Sequence, residues 1–418
     1  MNIPSDDRSV AMSAIAYLTD VEGIWTKLED FARDNPLVSL QHGSLQLAPG
    51  AVLVFGGDAI DRGPASRRVV ATLLDAKRRY GDRVVLLAGN RDLNKLRLVR
   101  ELAGRSPTRA PREVVDAGRA ALLKWTFSNT MGAGKAFEMR RAELVHDGAG
   151  SSDEDVVRSF ETDLAPDGPL TQYLSACALA FRSGSTLFVH GAVTPENLGV
   201  VPGVASRIAH PNDWIAELNA FYEAQIRAYR DERVENGTPA WAPIVAYQAP
   251  ASGTRFNQAS VVYGRPADAL GNPQLPPRAL VDQLQRADIF RVVVGHTPSG
   301  DTPSVLCDDD FQLVIADNSY GRTEFGSRVL IYENAVEVSG EALLDSGERV
   351  KVRANLSPPD FPVGLRDRAT GRLVKGHIGA DARLLLFRFL EGFQPEQLAV
   401  SRDAYGSVDF SIPRATER

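Results

Sequence analysis

Five residues with donor atoms suited to a divalent cation each follow a short apolar run: Asp20, Asp58, Asn90, His190 and His296. Carboxylate and amide oxygens together with imidazole nitrogens form a donor set that suits a transition-metal ion. Because the five are spread from residue 20 to residue 296, they meet only if the chain returns repeatedly to one edge of the molecule. Around Asp58 the chain reads Gly56-Gly57-Asp58-Ala59-Ile60-Asp61-Arg62-Gly63, and Asn90 lies in Gly89-Asn90-Arg91-Asp92. A carboxylate at a strand end followed by glycine-rich turn residues sits at the carboxyl edge of a sheet, where α/β proteins bind their ligands.

The elements that would position these donors follow from the hydropathy pattern. Residues 14–19, 51–57 and 83–88 read as three strands ending at Asp20, Asp58 and Asn90, with helices after the first two. Pro64 suits a first helical turn, and Val69, Val70, Leu73 and Leu74 then repeat at helical spacing. Residues 93–102 and 114–127 read as helices, and Ser151-Ser152-Asp153-Glu154 as a helix start, which together make an inserted helical cap. Strands resume at 185–189, ending in His190, and at 290–294, ending in Gly295-His296, with a helix near 214–230 and a Pro/Gly-rich loop at 263–277 between them. Beyond His296 a β-meander is expected over 312–316, 328–332 and 335–338, and the tail adds an apolar segment at 384–390. Alternation of this kind signals a layered α/β domain.

Composition narrows the class. A chain of 418 residues with 44% hydrophobic content can bury a large core, and a net charge of −6 argues against a nucleic-acid coat or a membrane-surface protein. Cys177 and Cys307 show no metal or redox spacing, so free thiols and a reducing compartment are expected. Residues 1–12 lack the basic start and apolar stretch of a signal peptide, and no apolar run approaches membrane-spanning length, so a cytoplasmic location is expected.

The ordered clusters resemble the calcineurin-like metallophosphoesterases, on the branch holding the phosphoprotein phosphatases and the diadenosine tetraphosphate hydrolases. The Asp58 run matches that superfamily's G-D-x-x-D-R-G, and Gly89-Asn90-Arg91-Asp92 resembles its G-N-H-D/E. Val189-His190-Gly191 and Gly295-His296-Thr297-Pro298 resemble its two metal-histidine strand ends. The resemblance implies a four-layer α/β/β/α sandwich over residues 14–340, with helical insertions near 93–180 and 205–285, and leaves 341–418 as a β-rich extension.

It further implies two divalent ions about 3.5 Å apart. Asp58 would bridge them, Asp20 and Glu22 would serve the first, and Asn90, His190 and His296 the second. Mn²⁺ is the expected metal, with iron, Mg²⁺ or Zn²⁺ as alternatives, and a hydroxide held between the ions would attack phosphorus in line. Asp61 and Arg62 match positions that orient the site and clamp phosphate, and Arg265 is a further expected clamp.

Two departures matter. Asp20-Val21-Glu22 stands where the superfamily has D-x-H, giving an all-oxygen first site, and Arg91 replaces a histidine general acid. Arginine holds its proton near neutral pH but stabilises developing charge. Good leaving groups such as anhydride phosphates and, less so, phenolates are therefore favoured, unless Asp92 or a water supplies the acid. A phosphorylated small molecule or nucleotide is the expected substrate, with phosphoprotein as the runner-up. A metal-binding pseudoenzyme or a variant non-hydrolytic metalloenzyme is the reading from another class. The basic run Lys95, Arg97 and Arg100 reads as a solvated helix face.

Overall fold

The computed structural model describes residues 14–416 apart from 255, 334, 357–359, 380–381 and 406–407, and the polar stretch at residues 1–12 lies outside them. Ile15–Leu18 pairs in parallel with Val52–Phe55, which pairs in parallel with Val84–Leu87. Parallel pairing points all three carboxyl ends the same way, so Asp20, Asp58 and Asn90 emerge on one edge. A second sheet places Thr186–Val189 and Arg291–Val294 side by side, again in parallel, which does the same for His190 and His296.

The two sheets share one apolar core. Alternate strand residues face it: Ile15, Tyr17, Val54 and Leu87 from the first sheet, and Phe188, Val293, Val305 and Val314 from the second. The Tyr17 and Phe188 rings stack at 5.8 Å between centroids. The intervening residues Ala16, Leu18, Leu53 and Phe55 cluster instead with Leu28 and Phe31 of the helix Trp25–Ala32 and with Val69, Val70 and Leu73 of the helix Ser66–Tyr80. Burying each such side chain is worth roughly 1.5–3 kcal/mol, so strand period and helix period jointly fix which way every strand end points.

The expected meander is corrected. Gln312–Ile315 lies in the second sheet, parallel to Arg291–Val294, whereas Arg328–Ile331 crosses to the first sheet and pairs antiparallel with Ile15–Leu18. Both strands were legible, but partner choice depends on which edge is open. The crossing loop between them carries Asp317 and Tyr320 over the site.

Between residues 93 and 175 the chain forms a run of separate helices, and strands Cys177–Ala178 and Ala180–Ser183 follow. The stretch expected as one helix over 114–127 divides into Arg112–Asp116 and Arg119–Thr130, because Gly118 between them takes φ 102°, which a helix cannot continue through. Ser152 caps Asp153–Asp163 with a reciprocal Asp155 contact, as its sequence signature indicated. The second insertion holds Pro211–Arg230, Ala242–Tyr247 and the helix Arg278–Gln285, which residue periodicity did not reveal.

At the C-terminal side, Val336–Leu343 runs through residue 340, and Arg349–Asn355, Leu373–Ile378, Arg383–Leu390 and Gln394–Ser401 continue the first sheet strand by strand. Both cysteines are buried and free. Among the described residues no helix is long and apolar enough to cross a membrane.

Candidate metal centre

Backbone hydrogen bonds continue past the strand ends and lock the loops together. The amides of Asp20, Glu22 and Gly23 donate to the carbonyls of Gly57, Asp58 and Ala59 at 3.0, 2.9 and 2.8 Å. Asp20, Glu22, Asp58, Asp61, His296 and Tyr320 all have positive φ, a conformation costing roughly 1–3 kcal/mol each for residues with a Cβ. Gly89 has no alternative: a Cβ there would lie 2.1 Å from the amide nitrogen and from Oδ1 of Asp58. This close approach delivers the Asn90 and Asp58 loops to the same point.

One side of the centre is built from histidines. Asp58, His190 and His296 each bring a ligand-type atom within 4.8 Å of the others, and all three are buried. His190 Nδ1 lies 2.7 Å from the carbonyl of Gly56, an acceptor, so in the neutral ring this nitrogen carries the hydrogen. Nε2 then presents a lone pair, yet it faces Asn90 Oδ1 at 3.2 Å and Asp58 Oδ1 at 3.4 Å. His296 Nε2 is buried without a hydrogen-bond partner. Burial, with help from the nearby Arg265 and Arg91 charges, holds His296 well below the usual imidazole range, so this ring is neutral. Ring nitrogens and side-chain oxygens converging on one buried point fit a cation. The Tyr263 ring packs on His296 at 4.7 Å and fixes its plane.

The other side supplies its own positive charge. Arg91 Nε sits 2.6 Å from Glu22 Oε1 and 3.5 Å from Asp58 Oδ2, and its Nη2 donates to the Tyr320 hydroxyl at 2.6 Å. The second Glu22 oxygen accepts from Arg62 Nη1 at 3.0 Å, and the Arg62 guanidinium lies over the Tyr320 ring at 4.3 Å. Asp20 Oδ2 accepts from the Thr19 hydroxyl at 2.6 Å and the His296 amide at 3.2 Å. Glu22 and Asp20, both expected among the metal ligands, are thus outside the Asp58, His190 and His296 group.

Asp61 and Asp92 are buried behind this layer. Asp61 Oδ2 takes an ion pair from Lys95 Nζ at 2.7 Å and lies 3.7 Å from Arg91 Nη1. Asp92 accepts from the amides of Asp58 and Ala59 at 3.0 Å and of Gly89 at 3.2 Å, with both oxygens turned into the loops. As an expected source of a catalytic proton it is misplaced in this geometry; its carboxylate holds the Asp58 turn against the Asn90 turn. Arg91 pairs with Glu22 rather than with its neighbour Asp92.

Several site residues escaped sequence reasoning. Lys95 was expected on a solvated face but is fully buried. Lys27 is buried too, and its Nζ donates to the carbonyl of Asp20 at 2.9 Å. Asp317 is pushed up to about 6 by burial and by the Glu22 charge, opposed by Ser319 and Lys27. Its signal was available, since it too follows a strand that ends at the same edge. Burial and carboxylate crowding also raise Asp20 well above its usual range, with Asp317 and Asp58 the leading neighbours.

A cleft of about 460 Å³ opens beside His296, lined by Arg265, Phe256, Thr297 and Tyr320 together with Phe389 and Phe393 from the C-terminal strands. Arg265, expected as a phosphate clamp, has a buried Nε without a partner, and its guanidinium lies 5.6 Å from the Phe256 ring.

No known protein-family profile and no curated protein matches the sequence. Among solved structures, a cold-active protein-tyrosine phosphatase from a psychrophilic Shewanella species aligns with 81% of this chain and 80% of its own at 16% identity and a TM-score of 0.45. A protein serine/threonine phosphatase from Saccharomyces cerevisiae aligns with 78% of this chain and 75% of its own at 13% identity and a TM-score of 0.37.

Proposed function

We propose that this protein is a metal-dependent hydrolase of phosphoric esters or anhydrides, holding a divalent ion with Asp58, Asn90, His190 and His296. The observation that carries this reading is the buried meeting of Asp58, His190 and His296, with His190 Nε2 facing the Asn90 and Asp58 oxygens at 3.2 and 3.4 Å beside the unpartnered His296 Nε2. Two sheets sharing a core, with helices on the far face of the first, support the four-layer sandwich. When bound, a divalent ion supplies Lewis acidity toward phosphoryl oxygen and toward water.

The protein's own groups set what that chemistry can act on. Arg91 Nη1 is buried without a hydrogen-bond partner, Arg265 lines the cleft and Arg62 lies over the Tyr320 ring at its wall, so phosphate oxygens would meet donors fixed in advance. Hydrolysis joins a water oxygen to phosphorus and breaks the bond from phosphorus to the leaving oxygen, which departs with the electron pair. Burial lowers the Arg91 pKa, but Glu22, Tyr320 and Asp58 outweigh it and hold the guanidinium charged. It therefore steadies the departing charge and donates no proton.

That favours leaving groups that are stable as anions, and the aromatic cleft favours those bearing a ring: a nucleotide-like small molecule first, a tyrosyl phosphate second. Turnover of p-nitrophenyl phosphate with Mn²⁺ should be lost on chelation and in Asp58→Asn. Turnover that survives both treatments would refute the reading.

A further inference from the structure

We infer that the Arg91 guanidinium takes the place of one ion of a would-be pair, so that the centre holds a single divalent ion. This rests on the metal site proposed above and concerns its other half. Glu22 has no oxygen to spare, one being held by Arg91 at 2.6 Å and the other by Arg62 at 3.0 Å. An ion joining Glu22 to Asp58 Oδ2 would need both oxygens within about 2.0–2.6 Å. Arg91 Nε already stands between them, at 2.6 and 3.5 Å.

The arrangement also explains why the two sequence departures occur together. A histidine at position 22 could not pair with a guanidinium, whereas a glutamate must have a cation, and Arg91 is the cation nearest to it. Glu22 and Arg91 form one unit, in which each buried charge would lose its nearest partner without the other.

The test is a metal count on the full-length protein. Wild type saturated with Mn²⁺ and freed of loose metal should hold one ion per chain and give the electron paramagnetic resonance spectrum of an isolated ion. His190→Ala should bring the count to zero, and Arg91→Ala should raise it toward two with a spin-coupled pair spectrum, circular dichroism confirming that each variant is folded. Two coupled ions in wild type would overturn the single-ion inference and leave the hydrolase reading standing. No ion in wild type would overturn both. A folded Arg91→Ala that still holds one ion would overturn the claim that the guanidinium excludes the other.

Discussion

The two halves of the strand-end cluster use opposite means of settling buried charge. On the His190 and His296 side, two ring nitrogens meet the Asn90 and Asp58 oxygens, and His296 Nε2 has no hydrogen-bond partner. On the Glu22 side, both Glu22 oxygens are held by arginines, one Asp61 oxygen by a lysine and one Asp20 oxygen by a backbone amide. The first half is unfinished without a cation, and the second is complete without one. On the proposed reading, the same edge of the same fold combines a binding site with a structural ion-pair network, and substitutions should separate them.

The largest effect is expected for the unfinished half. Asp58→Asn and His190→Ala should abolish metal-dependent turnover, while urea unfolding of the metal-free proteins changes little. Adding Mn²⁺ to wild type at 100 times its dissociation constant should stabilise it by about 2.7 kcal/mol, a gain absent from His190→Ala. A His190→Ala protein that unfolds without metal far more easily than wild type would show that this half is structural after all.

In the finished half the order reverses. Glu22→Gln removes the nearest partner of the buried Arg91 charge and should cost about 3–5 kcal/mol of stability with or without metal, measured by urea unfolding. His296→Ala, which removes a nitrogen that has no partner, should cost far less in the metal-free protein. Comparable losses in the two variants would erase the distinction between the halves.

A subtler contrast concerns the leaving group. Arg91→His introduces a group able to donate a proton near neutral pH, so turnover of alkyl phosphates should rise relative to nitrophenyl phosphate. If the variant loses activity on every substrate alike, Arg91 contributes chiefly by holding phosphate.

The strand ends were legible because the chemistry and the period agree: an apolar run of four or five residues followed by a donor defines both a strand and a position. Asp20, Asp58, Asn90, His190 and His296 all reached the expected edge. The orientation of Glu22 was not legible, since two residues beyond a strand the side chain's direction depends on a left-handed turn and on arginines 40 and 69 residues later in the chain. Buried Lys27 and Lys95 escaped for a related reason: a lysine in a short helix reads as solvated until the carboxylate that neutralises it is placed in space. The sheet change between Gln312–Ile315 and Arg328–Ile331 was hidden because both strands carry the same alternation and only the open edges distinguish their partners.

The smallest expected effect lies outside both halves. Lys375, in the strand Leu373–Ile378, is buried and donates to the carbonyls of Ser299 and Thr302 in the loop after His296. Burial lowers its pKa to about 7, against a partial opposing pull from Asp301. With the folded value below the unfolded one, the unfolded chain binds more protons between about pH 7 and the ordinary lysine range near 10.4, so stability should rise with pH across that window. Lys375→Met should flatten this rise in urea-unfolding curves, and an unchanged slope would show that the buried amine is not its source.

The arrangement of the ion itself is decided most directly by anomalous X-ray scattering at the manganese edge from crystals soaked in Mn²⁺. A single peak within bonding distance of Asp58, Asn90, His190 and His296, with Glu22 still paired to Arg91, is the expected result. Two peaks bridged by Asp58, or one peak bound to Glu22, would contradict it.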